Sequence, residues 1–150
     1  AGGNKFMTGP NRTNASTFDL EGWYRRPAAD PKAITALIAS GPIEWPKEYL
    51  DLLEISNGGE GPLAVDPGWF SLWTAEEVLQ LNLDYQVERG APGFVGFGSD
   101  GGPELLAFNA RRGPPYRVVM IPFGDIAIEE ARPVAKDFAS FLKAAGRAKG

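Results

Sequence analysis

Apolar and polar positions are most sharply patterned between Phe94 and Phe108 (FVGFGSDGGPELLAF), where two short apolar runs flank a cluster of Gly, Ser, Asp and Pro. Val95 and Phe97 alternate with glycines, and Leu105 to Phe108 form the second run. The pattern predicts two strands joined by a tight reversal, a buried hairpin. Gly98, Gly101 and Gly102 are expected to supply the positive backbone angles of that reversal, which residues with a Cβ resist. Upstream the period becomes helical. Asp30-Pro31 suits an N-cap followed by a first helical position, and Ile34, Leu37 and Ile38 repeat at helical spacing, which predicts a helix over 31–40 closed by Gly41-Pro42. Pro46 opens a second helix, predicted over 47–57, whose Tyr49, Leu52, Leu53 and Ile55 share one face. Asn57-Gly58-Gly59 stops it.

Gly61 to Asp66 (GPLAVD) alternates weakly and predicts a strand, and the aromatic concentration Trp69, Phe70, Leu72, Trp73 follows. Thr74 to Glu77 (TAEE) is a capping box, with Trp73 and Val78 placed as a hydrophobic staple. It starts a third helix, predicted over 75–88, that carries Val78, Leu81 and Tyr85 on one stripe and ends by Gly90-Ala91-Pro92. The hairpin strands are expected over 93–97 and 104–109. Arg111 to Pro115 then reads as a turn, Arg117 to Pro122 (RVVMIP) as a strand, and Asp125 to Ala131 as a short strand or a loop. Phe138, Phe141, Leu142 and Ala145 predict a last helix over 138–145, with Asp137 as its cap. Strands joined by short turns, with helices before and after, indicate a single-domain α+β fold whose antiparallel or mixed sheet is backed by helices.

Composition narrows the function classes. A chain of 150 residues, 43% hydrophobic and 23% charged, supports one core. The expected organisation is an N-terminal arm over 1–22, either wholly a flexible native segment or in part a cloning remnant ahead of Met7, then a domain over 23–146 and a polar tail over 147–150. Trp23 and Tyr24 begin the ordered part as an apolar lid. The triplets at Asn11 and Asn14 match glycosylation acceptors but carry no weight without a secretory context. No apolar run nears the length of a membrane span and no signal layout precedes the domain, so a cytoplasmic location is expected. The chain has no cysteine and no histidine. That removes disulfides, thiolate metal sites and the commonest general base. A net charge of −4 with a pI near 4.9 argues against nucleic acid or anionic lipid and favours a basic protein partner.

Motifs that imitate chemistry have simpler explanations. Gly96-x-Gly98-x-x-Gly101 fits a dinucleotide fingerprint by spacing, but Pro103 and a short apolar run follow where a crossover helix is required. Asp100 is better explained as a turn former and Glu104 as an exposed strand residue than as a carboxylate pair or hard-metal site. Glu60, set among glycines, is expected to clamp backbone N–H groups. Among Trp45, Trp69, Phe70, Trp73 and Tyr85, core packing is the leading role and partner anchoring the other. The pairs Arg25-Arg26 and Arg111-Arg112 read as ordinary solvated charges. No nucleophile–base spacing stands out, so no catalytic residue, cofactor or metal ligand is assigned.

Several ordered motifs together resemble one group: Ile55 to Gly61 (ISNGGEG) after an amphipathic helix, Leu72-Trp73 entering a capped helix, and Phe97 to Gly102 (FGSDGG) with Glu104-Leu105 and Phe108. Val119 to Phe123 (VMIPF) and Phe138 with Phe141-Leu142 complete the set. Over Trp45 to Leu142 the chain is similar to the SUKH superfamily, which holds fungal cell-wall synthesis regulators and many bacterial immunity proteins. Pro103 and Asp137 depart from that pattern, where another small residue and Ser are more usual, but both suit a turn and a cap. The resemblance implies an α+β fold without enzymatic chemistry, and an immunity protein that neutralises a cognate toxin, such as a basic nuclease, by direct binding. A regulatory scaffold of the fungal type, or an enzyme working without His or Cys, are the alternatives. Charge and aromatic content nominate Glu60, Asp66, Trp69, Glu76, Asp84, Tyr85, Asp100 and Glu104 as partner-binding residues, the acids for steering and the aromatics for anchoring.

Overall fold

In the computed structural model, which describes residues 21–149, the predicted hairpin stands inside one sheet. Its strands are β1 (Tyr24–Arg25), β2 (Gly59–Pro62), β3 (Trp69–Leu72), β4 (Phe94–Ser99), β5 (Glu104–Asn109), β6 (Arg117–Pro122) and β7 (Arg132–Ala135). All seven lie side by side in chain order, each antiparallel to the next, so of the two sheet types expected the antiparallel one forms. Five helices accompany them: α1 (Pro31–Ser40), α2 (Lys47–Leu53), α3 (Val78–Asp84), α4 (Val87–Gly90) and α5 (Phe138–Ala144). The fold is thus a single-domain α+β fold. Among the described residues no helix is long and apolar enough to cross a membrane.

The core forms where β4 and β5 meet α2 and α5. Gly96 pairs with Ala107 and Gly98 with Leu106, which leaves Phe97 as an extra residue in a β-bulge. The bulge bends the strand and aims the Phe97 ring at the helices. That ring stacks on Phe108 at 4.5 Å between centroids and meets Tyr49, Phe138 and Phe141 edge-on at 6.1, 5.6 and 5.6 Å. Tyr49 is wholly buried; its hydroxyl has no hydrogen-bond partner, and burial pushes its phenol above the usual range. α3 and α4 also pack against β4. Asn82 of α3 locks this contact, accepting from the Gly96 N–H at 2.7 Å and donating to the Gly96 carbonyl at 2.9 Å.

The caps read at Asp30 and Asp137 are present. The Asp30 carboxylate accepts from the Lys32 N–H at 2.9 Å with Pro31 in the first turn of α1. Asp137 accepts from the Ser140 N–H at 2.8 Å at the start of α5, and the bonds to Ser140 hold its carboxyl below the usual carboxylate range. A depressed folded value means that the cap's contribution is fully present above about pH 4 and fades as pH falls through the lower folded value. Asp137→Ala is therefore expected to cost about 1 kcal/mol near neutral pH. Urea titrations should show this gap closing in acid; a gap that persists unchanged at low pH would show that the carboxylate is not the source.

Several boundaries differ from expectation. α2 stops at Leu53 rather than at 57: the Ile55 N–H tightens onto the Leu52 carbonyl three residues back, and the Ser56 hydroxyl donates to the Gly58 carbonyl at 2.7 Å. Ser side chains compete with a helix in this way. The predicted helix over 75–88 is two helices, interrupted at Gln86, whose φ is 55°. Only half of the capping box forms: Glu77 reaches back to the Thr74 N–H at 3.1 Å, but the Glu77 N–H goes to the Thr74 backbone carbonyl rather than its hydroxyl, and the helix begins at Val78 rather than at 75. The Ala75 N–H is satisfied at 2.7 Å by Asn57 from a distant segment. The strand expected over Gly61 to Asp66 lies instead over Gly59–Pro62, and Asp125 to Ala131 falls across two 3-10 turns, Phe123–Asp125 and Ile128–Glu130. β1, β3 and β7 were not predicted. Of the residues expected to form a lid, Trp23 is buried edge-on to Phe70 at 5.1 Å, whereas Tyr24 is exposed on β1. Of Gly98, Gly101 and Gly102, only Gly101 has a positive φ, of 79°. The expected arm over 1–22 lies, but for its last two residues, outside the described residues, and so do Asn11 and Asn14.

Candidate functional site

Side chains alternate across a strand, so the buried ring of Phe70, in contact with Phe141 and Trp23, assigns one face of β3 to the core. Trp69 and Ser71 must then point to the other face. Register carries that face outward: Ser71 pairs with Glu60, Glu60 with Tyr24, and on the inner side Ser71 pairs with Ser99. Over β1 to β3 this face is open to solvent. Tyr24 is 71% exposed, Glu60 is exposed, and Trp69, Ser71 and Ser99 are half-buried.

One rim of the open face is formed by the β4–β5 turn. The Asp100 carboxylate accepts from the N–H groups of Gly102 at 2.8 Å and Glu104 at 3.0 Å, which is the turn-forming role expected of it. Gly101 approaches Trp69 so closely that a Cβ there would lie 3.4 Å from the indole Cδ1. The next contact reaches the third helix: the Phe123 N–H donates to the Pro103 carbonyl at 2.8 Å, and the Phe123 ring lies 4.5 Å from that of Tyr85. Tyr85, 44% exposed, also stacks on the buried Trp73 at 6.2 Å. Trp69, Asp100, Glu104 and Tyr85 are thereby linked round one margin, with Glu60 on the adjoining strands.

The other nominated acids are more dispersed. Asp66 is exposed on the β2–β3 turn and bonded to Lys149. Glu76 lies at the start of the third helical segment, where the Asn57 amide donates to it at 2.9 Å, and Asp84 accepts from Gln80 at 2.7 Å. Two sequence readings need correction. Glu104 is not an exposed strand residue: its side chain is only 17% exposed and pairs with Arg132 at 2.5 Å, a partner 28 positions away that no local pattern reveals. The Glu60 carboxylate clamps no backbone group; among the described residues it makes no hydrogen bond or ion pair. Of the aromatic set, Trp45, Phe70 and Trp73 are core, while Trp69 and Tyr85 reach the surface. Tyr24 was missed as a site residue, since only strand register places it beside Glu60. Among the described residues no group of three acidic, His or Cys side chains is arranged to hold a metal ion.

A model of the SMI1 / KNR4 family (SUKH-1) matches residues 28–144, a span that includes β2 to β7 and all five helices. No curated protein matches the chain.

Proposed function

From membership of the SMI1 / KNR4 family (SUKH-1), to which this chain belongs, we propose that the protein is a non-catalytic binding module, an immunity protein that neutralises a cognate toxin by covering its working surface. The observation that carries this reading is Glu60, an exposed carboxylate without a partner among the described residues, set beside the exposed Tyr24 on a sheet face that leaves room for a docked surface. An unpaired carboxylate is free to meet a cation on a partner, and a Tyr ring supplies contact area at low cost in conformational entropy. The net charge of −4 suits a basic partner such as a nuclease, whose phosphate-binding surface would be drawn in at long range.

The product of the neighbouring reading frame should co-purify with the protein. With that partner, Glu60→Arg is expected to slow association several-fold and to flatten its dependence on salt, while Tyr24→Ala mainly speeds dissociation. Both side chains are exposed, so melting temperatures should stay within the range of ordinary surface changes. Association that is independent of salt, or binding unaffected by both substitutions, would rule out this face as the docking surface.

A further inference from the structure

At the far end of β5 from the Asp100 turn, Asn109, Arg111, Arg112, Gly113, Pro115 and Arg117 line an open cavity of about 490 Å³. The strand separates the two ends by roughly 17 Å at the usual rise per residue. Asn109 and Arg117 are cross-strand partners, and the 111–115 turn brings two further guanidinium groups to the same pocket. Arg111 is held in position. Its backbone N–H and its Nε–H both donate to the Asn109 Oδ1, at 3.2 and 3.1 Å, and its guanidinium carbon lies 4.9 Å from the centroid of the Phe94 ring. Its terminal nitrogens remain as donors.

Three guanidiniums in an acidic chain would ordinarily be offset by carboxylates. Among the described residues the ion pairs are made by Lys47, Arg132 and Lys149, and none by these arginines. Two carboxylates stand on neighbouring segments. Glu88 accepts from the Gly93 N–H at 3.1 Å, beside the Arg111 stem, and Glu44 lies where its carbonyl accepts from the Tyr116 hydroxyl at 2.9 Å. Neither pairs with an arginine of the pocket.

We propose that this pocket is an anion site that takes the phosphate or pyrophosphate group of a small ligand. Planar guanidinium forks match the oxygens of a phosphoryl group, and several converging forks favour a multiply charged oxyanion over a halide. The pre-oriented Arg111 loses little side-chain freedom on binding. The site is independent of the proposed toxin-binding face.

The test is a titration of the isotope-labelled full chain, followed by backbone amide resonances, with inorganic phosphate and with pyrophosphate, each against sodium chloride at matched ionic strength. Saturable shifts confined to residues 109–117 are expected, with pyrophosphate binding more tightly than phosphate. Arg111→Gln and Arg117→Gln should each weaken binding about tenfold, whereas Arg25→Gln, on a strand at the opposite sheet edge, should not. Arg112→Gln removes a side chain that makes no bond among the described residues, so it should weaken binding without changing the melting temperature even if another variant perturbs the turn. Equal shifts with chloride, no saturation up to about 20 mM, or undiminished binding by the Arg111 and Arg112 variants would overturn the proposal.

Discussion

Replacing Phe97 by Ala is expected to lower stability by about 3–5 kcal/mol, the range for removing a large buried aromatic side chain. The upper part of that range applies here because the ring is fully buried and its neighbours come from three elements: Tyr49 from α2, Phe138 and Phe141 from α5, and Phe108 from β5. No one of these can move into the vacated space without leaving its own contacts, so the cavity collapses poorly. For a chain of this length the melting temperature should fall by about 10 °C. Denaturant titration gives the free energy directly, and a loss below about 1.5 kcal/mol would mean that the bulge does not deliver Phe97 to the centre of the core.

The second large effect concerns the glycines of the same hairpin, which the structure separates by mechanism. A Cβ on Gly98 would lie 2.5 Å from the Ser71 carbonyl oxygen and 3.1 Å from the Leu72 Cα. Both are backbone atoms of β3, which is itself paired to β2, so the strands would have to part. Gly98→Ala should therefore cost about 2–3 kcal/mol as an overpacking change. Gly101→Val strains a backbone at φ 79° and should cost about 1–3 kcal/mol. Gly102→Val should stay within about 0.5 kcal/mol, because a Cβ there meets only the Asp100 carboxylate at 3.5 Å. Thermal melts of the three variants rank them; a Gly102 variant as damaged as the Gly98 variant would contradict this assignment of close approach and turn geometry.

The elements legible from sequence were those specified locally. Asp30-Pro31 and Asp137 act through bonds to N–H groups two or three residues on, and the β4–β5 hairpin is bracketed by its own turn residues. β1, β3 and β7 escaped because their pairing is set by neighbours rather than by an alternating run. Tyr24–Arg25 is only two residues long, and Arg132–Ala135 includes Pro133. Proline in a strand is tolerated at a sheet edge, which is where β7 lies. Of the nominated binding residues, charge and aromaticity found Glu60, Trp69 and Tyr85 without showing which shared a face. They also nominated Glu104, whose ion pair with Arg132 depends on a contact far along the chain. Arg111 and Arg112 looked like ordinary surface charges because their convergence with Arg117 depends on the pairing of β5 with β6.

The division of the first three strands into a face that holds the aromatic core and a face that holds Tyr24, Glu60, Trp69 and Ser71 has an evolutionary consequence. Alternation assigns every second residue of a strand to one task, so substitutions on the open face need not disturb the packing behind it. A lineage can therefore change what it recognises by small steps, without first acquiring compensating mutations in the interior. Divergence of specificity is then limited by the partner's surface rather than by the stability of the scaffold.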